Sequence, residues 1–199
     1  MLGLIVGTGP SLRPMLPLLR KFKGLVFAPN NVFEDVRTDV WLACDPAWHR
    51  YYSPVRGDFD KWHWDSAICN DYGYKYVEGI WHDGLWMDSP DKISLGHCSG
   101  HQLLNLAANQ YGCDTILLVG HDFSYPQGEP RHYFTGLSSE DGEYPSEIRK
   151  FSKFIKPDGN DLLAVYKKIA DQKHLPPIIN CTPGSALPWF PKGELKEYL

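Results

Sequence analysis

Leu2-Gly3-Leu4-Ile5-Val6-Gly7-Thr8-Gly9-Pro10-Ser11-Leu12 opens the chain with an apolar run, a glycine-containing turn and a residue suited to begin a helix. A strand, a tight turn and a helix amino end in that order gather backbone N–H groups where a phosphate can be held. Gly7 and Gly9 supply G-x-G, but Leu12 stands where a third glycine would complete the dinucleotide fingerprint, and the stretch is not a Walker loop. Pro10 has a fixed φ and no N–H, which suits a helix start, and Ser11 is expected to cap that helix by accepting a backbone hydrogen bond. Taken alone, the stretch is equally consistent with a plain strand-to-helix turn.

The residues that follow extend the same alternation. Leu12, Met15, Leu16 and Leu19 share one face and predict a helix over 12–22, stopped at Gly24. Residues 25–28 read as a second strand followed by the polar turn Pro29-Asn30-Asn31, and residues 39–44 as a third, closed by Asp45-Pro46, which opens a helix through Tyr52. The region 53–95 is weakly periodic and crowded with Trp, His, Asp and Gly; strands are expected over 66–69 and 75–77. Leu103, Leu104, Ala107 and Ala108 form one apolar face of a helix over 100–111, with Ser99 as its expected cap and Gly112 as its stop. Thr115-Ile-Leu-Leu-Val-Gly120 is the signature of a strand buried on both faces of a parallel sheet. A helix over 161–171, with Leu162, Leu163, Val165, Tyr166 and Ile169 inward, and a strand over 178–181 complete the pattern.

Strands alternating with helices predict an α/β fold, a single-domain Rossmann-like open, mostly parallel sheet with helices on both faces spanning 1–199. In such sheets ligands collect beyond the carboxyl ends of the strands. The expected ends carry Gly7-Thr8-Gly9, Asn30-Asn31, Cys44-Asp45, Asn70-Asp71, His121-Asp122 and Cys181-Thr182, a small, polar and acidic composition.

Bulk properties narrow the function. A length of 199 residues suits one well-cored domain, and no Pro/Gly/Ser-rich linker divides it. Net charge is −4, so no overall basic field favours duplex nucleic acid. No apolar run approaches the roughly 20 residues that span a bilayer, and Met1 leads straight into the first strand, so a soluble, cytoplasmic protein is expected. Five scattered cysteines predict no disulfide framework. Aromatic residues make up 14% of the chain, too many for the core alone, so some are expected to line a cleft or a homo-oligomer interface.

The order of these pieces resembles the bacterial sialyltransferases of glycosyltransferase family 42 and the related 6-hydroxymethylpterin diphosphokinase-like group. The residues carrying the resemblance are Leu4 to Leu12, Asn30 to Asp35, Cys44-Asp45-Pro46, Ser99-Gly100, Leu117 to Phe123 and Ser185 after the last strand. It implies a nucleotide-activated donor held by Gly7, Thr8, Gly9, Pro10, Ser11, Asn30, Asp45, Ser99, Gly100 and Ser185. It further implies Tyr125 and Tyr133 as hydrogen-bond donors to the leaving phosphate in place of a metal, so no cofactor is expected. The chain departs from the family where a histidine base precedes the late helix, since Lys156 or Pro157 stands there. It also has Asp45 where the sialyltransferases carry an asparagine, and a carboxylate there suits a ribose hydroxyl or a base N–H.

Other residues offer chemistry beside a bland alternative. His132, next to Tyr133 in a Gly/Pro-flanked loop, is a candidate base or a surface histidine. Asp122 is a candidate to hold Mg²⁺, to orient a base or to organise the next turn. His97 and His101, four apart, could share a face for a metal or a phosphate, or simply be satisfied at a helix start. The Trp62-His63-Trp64, Trp81-His82-Asp83 and Trp86 group could stack a base or sugar, or fill the core. Arg149, Lys150, Lys153 and Lys156 could neutralise a phosphate or form a solvated face. The expectation is a nucleotide-donor transferase, sialyltransferase-like, with His132 as base and an unidentified acceptor. The alternatives are a diphosphokinase-like transfer from ATP with Mg²⁺ on Asp122 or Asp45, and a nucleotide-binding protein without catalysis.

Overall fold

In the computed structural model, residues 1–82, 84–96, 98–124 and 160–199 are described. Strands β1 (Leu2–Val6), β2 (Leu25–Pro29), β3 (Val40–Leu42), β4 (Asp60–His63), β5 (Lys75–Tyr76), β8 (Thr115–Val119) and β9 (Ile178–Asn180) form one sheet in the order β5-β4-β3-β2-β1-β8-β9. Every pairing in it is parallel, with β1 and β8 in register from Leu2↔Thr115 to Val6↔Val119. β6 (Glu78–Ile80) and β7 (Lys92–Ser94) form a separate parallel pair. The expected open parallel sheet is the architecture of the chain.

Alternation along the central strands sends side chains to two layers. Ile5, Phe27, Val40, Leu42, Ile116 and Leu118 face α4 (Ser99–Asn105, continued by a wider π turn over Leu106–Gln110) and α5 (Asn160–Asp171), packing on Leu103, Leu104, Leu106, Tyr166 and Ile169. Leu4, Val6, Val26, Ala28, Leu117 and Val119 face the other way, onto Leu12, Met15 and Leu19 of α1 (Leu12–Leu19). On that second face, toward the β5 edge, Trp41 and Ala43 pack with Trp48 of α2 (Pro46–Tyr52) and Cys69 of α3 (Ser66–Tyr72). Helices therefore cover both faces. Each fully buried Leu, Ile or Phe contributes roughly 1.5–3 kcal/mol relative to exposure.

Two expectations fail in the region 53–95. Residues 66–69 are not a strand but the start of α3: Asp65 accepts from Ala67 N–H (2.8 Å) and Ile68 N–H (3.4 Å), and Gly73 at φ +71° stops the helix after two turns. The strand lies just upstream, in β4, where Asp60, Lys61 and Trp62 are only half-buried and so show no apolar run. Asn70-Asp71 consequently belong to α3, and the strand end at that place is Trp64-Asp65. The β6–β7 pair escapes periodicity because side-chain amides from α4 and its π turn hold the segment around it. Asn105 Oδ1 accepts from Trp86 N–H (2.8 Å) and Ser94 N–H (2.9 Å), Asn109 donates to Ser89 O (2.7 Å), and Gln110 donates to Lys92 O (3.0 Å).

No helix among the described residues is long and apolar enough to cross a membrane. The chain runs outward from β1 to β5 and then returns to place β8 on the other side of β1. Strand order thus reverses between β1 and β8, which is where a ligand crevice is expected in a sheet of this kind.

Candidate functional site

At the reversal point the glycine turn meets the end of β8. Gly7 N–H donates to Val119 O (2.6 Å) and Gly9 N–H to Gly120 O (2.9 Å). A Cβ on Gly7 would lie 2.3 Å from Gly120 O, and one on Gly9 would lie 1.7 Å from Asp122 Oδ2. Both glycines are therefore required by the close approach of two stretches of this chain, whatever else binds there.

Ser11 does not cap α1. Its backbone is already helical (φ −62°, ψ −15°), whereas a capping side chain needs the extended region. Its hydroxyl donates instead to Asp122 Oδ2 (2.8 Å), and its N–H donates to Asp122 Oδ1 (3.1 Å). Asp122 thus occupies the amino end of α1, where the sequence suggested a phosphate; a carboxylate there is favoured by the helix dipole as a phosphate would be. Burial raises the Asp122 pKa, and the Ser11 hydrogen bonds hold the rise back. The organising role considered for Asp122 has a definite form: its carboxylate pins β1–α1 to the end of β8.

A second group forms where β2, β3 and α4 meet. Asn30 sits at φ +48°, a left-handed conformation that asparagine tolerates better than most residues, and its carbonyl accepts from Trp41 Nε1 (2.8 Å). Ser99 is not the cap of α4 either; Cys98 holds that position, and Ser99 is the first helical residue. The Ser99 hydroxyl accepts from Cys44 N–H (3.0 Å) and donates to Asn30 Oδ1 (3.4 Å), tying three elements together. That leaves the amide nitrogen of Asn30 with no partner among the described residues. Asp45 caps α2, accepting from Ala47 N–H (2.8 Å), and burial pushes the neighbouring Cys44 thiol up to about 12, so it is no nucleophile at neutral pH.

Ser185 lies at the opposite side of the reversal point. Its hydroxyl donates to His121 O (2.6 Å) and accepts from Asn180 Nδ2 (2.9 Å) and Leu187 N–H (3.2 Å), so it locks the loop after β9 onto β8. Comparison with family models, curated proteins and solved structures finds no match. The site therefore rests on its own geometry.

That geometry brings together two of the groups expected from sequence: Gly7, Gly9, Pro10 and Ser11 with Asp122, and Asn30 with Ser99, Gly100 and the Cys44-Asp45 turn. Thr8 is half-buried between the first group's glycines. Tyr125, His132 and Tyr133 lie outside the described residues, as do Asp83, His97, Arg149, Lys150, Lys153, Lys156 and Pro157. His101 is fully buried. The Trp/His-rich stretch packs inward at its first part: Trp62 Nε1 donates to Tyr111 Oη (3.0 Å) and His63 is fully buried, while Trp81 is 79% exposed. Among the described residues no group of three or more His, Cys, Asp or Glu side chains is arranged to hold a metal ion.

The sequence places His121 at the end of the strongest strand but assigns it no role. Its backbone is fixed on both sides, by Thr182 Oγ1 accepting from its N–H (3.1 Å) and by Ser185 donating to its carbonyl. The ring donates from Nδ1 to Val119 O (3.0 Å), which makes Nε2 the lone-pair nitrogen. Burial lowers its pKa from 6.5 to about 4, so the ring is neutral at pH 7. The available signal was its position one residue past the glycine that ends a central strand.

Proposed function

We propose that the protein binds a nucleotide-activated donor over the carboxyl ends of β1, β2 and β3 and transfers the activated group, most simply a glycosyl group, to an acceptor hydroxyl. The observation that carries this reading is the Asn30–Ser99–Cys44 junction. A left-handed asparagine with an unpartnered amide N–H₂, a serine hydroxyl and the first turn of α4 meet beside the point where strand order reverses. With the Ser99 hydroxyl and the Cys44 N–H used within the junction, the Asn30 amide is the neutral donor it leaves free, and it suits a phosphate or ribose oxygen. Asp45 follows Cys44 in the chain, with one oxygen used in capping α2, and its carboxylate suits a ribose hydroxyl or a base N–H. Asp122 already fills the amino end of α1, which supports a donor phosphate on the β2–α4 side of the crevice instead.

The resemblance to family 42 sialyltransferases supports the same reaction class and supplies Tyr125 and Tyr133 for the leaving phosphate. The Asp122–Ser11 pairing bears on the diphosphokinase-like alternative, since both Asp122 oxygens already accept from Ser11 and a Mg²⁺ ion there would have to displace those bonds.

A thermal-shift screen of nucleotides and nucleotide-sugars, with and without Mg²⁺, tests the reading, because ligands that bind the native state raise its melting temperature. At least one nucleotide is expected to stabilise the protein without Mg²⁺. Asn30→Asp keeps a residue tolerant of the left-handed backbone but replaces the amide N–H₂ with a carboxylate that repels phosphate. It is expected to weaken that binding by about tenfold or more, corresponding to about 1.4 kcal/mol, with an unchanged melting temperature of the free protein. Stabilisation by no nucleotide, or equal binding by N30D, would count against the site.

A further inference from the structure

An acceptor hydroxyl that attacks the donor must give up its proton. Three features of His121 bear on where that proton goes. The side chain is only 5% exposed, yet its Nε2 has no hydrogen-bond partner among the described residues. A ring nitrogen that keeps its lone pair and has no partner is open to accept a proton. The ring is also held in place from several directions. Nδ1 donates to Val119 O at 3.0 Å, the backbone is clamped by Thr182 and Ser185, Phe123 stacks on it at 6.1 Å between centroids, and Tyr166 meets it edge-on at 5.8 Å. Finally, Nε2 is directed at the first turn of α4. A Cβ built on Gly100 would be 3.3 Å from Nε2 and 3.1 Å from Tyr166 Oη, so only glycine leaves that approach open.

We infer that His121 Nε2 is the proton acceptor for the hydroxyl that attacks the donor, an assignment that rests on the transferase reading above. The hydroxyl oxygen bonds to the glycosyl carbon as the bond from that carbon to the phosphate oxygen breaks, its electron pair leaving on the nucleotide phosphate. The hydroxyl proton passes to Nε2, and the imidazolium so formed keeps its Nδ1–H on Val119 O. The tautomer is thus set before reaction, as a general base requires. Without a ligand, burial keeps the ring neutral at all but acidic pH. Among the described residues the titratable groups near it are Tyr166 of α5, which meets the ring, Cys98 beside Gly100, and Asp122 next in the chain, and none of these supplies a positive charge. A phosphate bound against Ser99 and Gly100 adds negative charge close to Nε2, which favours protonation as charge moves to the leaving group.

His121→Asn is the informative variant, because the asparagine amide nitrogen overlays Nδ1 and keeps the bond to Val119 O while Nε2 is removed. Hydrolysis of CMP-N-acetylneuraminic acid, UDP-N-acetylglucosamine and GDP-mannose, with water as the acceptor, is measured for both proteins. For a donor that the wild type cleaves, H121N is expected to lose about 100-fold or more in kcat with little change in KM, and added imidazole is expected to restore part of the rate. A kcat for H121N within about threefold of wild type would overturn the role of His121 and leave the transferase reading standing. Failure of the wild type to bind any nucleotide in the thermal-shift screen would overturn that reading, and this assignment with it. A measurement on the wild type guards against misfolding of the variant. The ¹⁵N shift of Nε2, followed by NMR as pH is lowered, is expected to report protonation at higher pH with CMP, UMP or GMP bound than in the free protein. An unchanged titration with a bound nucleotide overturns the assignment.

Discussion

Gly7→Ala is expected to remove at least about 3 kcal/mol of folding stability, the upper part of the range for overpacking a close-fitted interior. The added Cβ would come to 2.3 Å from Gly120 O and 2.7 Å from Gly120 C, and both are backbone atoms at the end of the central strand β8. Nothing flexible stands there to give way, and the Gly7 N–H bond to Val119 O at 2.6 Å fixes the separation. Against a typical total of about 5–15 kcal/mol the loss is large, and urea unfolding followed by tryptophan fluorescence would show the midpoint falling accordingly. Gly9→Ala meets chiefly the Asp122 side chain, which can rotate away at the cost of its Ser11 bonds, and its one backbone contact, Gly120 O at 2.7 Å, is looser than the 2.3 Å met at Gly7. G9A is therefore expected to be the milder change. A G7A variant within about 1 kcal/mol of wild type would contradict the close β1–β8 contact described here.

Mild acid is expected to unfold the protein through buried histidines. His63 Nδ1 accepts from Asp65 N–H at 2.9 Å; its Nε2 is buried with no partner among the described residues, and its ring lies against that of His49 at 4.7 Å. Burial first, and the adjacent His49 second, lower the His63 pKa to about 4; burial lowers His49 as well, and His121 falls to about 4. Groups with depressed histidine pKa values give stability that is fully present above the unfolded value near 6.5 and is lost as pH falls toward 4. At 1.36 kcal/mol per unit, His63 and His121 each account for about 3 kcal/mol over that window. The raised pKa of Asp122 works in the opposite sense and offsets part of the loss on acidification. Urea midpoints are expected to fall steeply between about pH 6.5 and pH 4, and less steeply in His63→Phe. A midpoint independent of pH across that window would mean that these rings are not buried neutral.

Much of the fold was legible because the central strands bury both faces. Thr115–Val119 and Leu2–Val6 are near-continuous apolar runs, and the residues that break them, Gly7 and Gly120, are required by backbone contact. The β5 edge was harder to read. β4 is half-exposed and carries Asp60 and Lys61, so its pattern resembles a loop, while the short apolar run of α3 imitates a strand. The β6–β7 pair depends on Asn105, Asn109 and Gln110 reaching across from α4 and its π turn, a tertiary cause with no local signature.

The site was legible as a set of strand ends but not in its internal pairing. Ser11 and Ser99 both carry a helix-start signal, and both spend their hydroxyls on partners far along the chain, Asp122 for one and Cys44 with Asn30 for the other. Spacing within a motif carries no information about a partner 111 residues away. For the same reason the glycine turn suggested a phosphate, while its anion is a carboxylate of the same chain. The lone-pair nitrogen of His121 was hidden too, because its tautomer follows from a bond to the backbone of β8.

The proposed function requires a nucleotide to bind over the carboxyl ends of β1 to β3 beside the start of α4. Backbone amide shifts of the wild-type protein, recorded as CMP, UMP, GMP and AMP are titrated in, test it most directly. One nucleotide is expected to shift the amides of Thr8, Asn30, Asn31, Cys44, Asp45, Ser99 and Gly100, while Leu2, Leu25 and Thr115 at the opposite ends of the strands stay in place. Shifts confined to the amino ends of the strands or to the β6–β7 pair, or no saturable shift with any of the four, would contradict it.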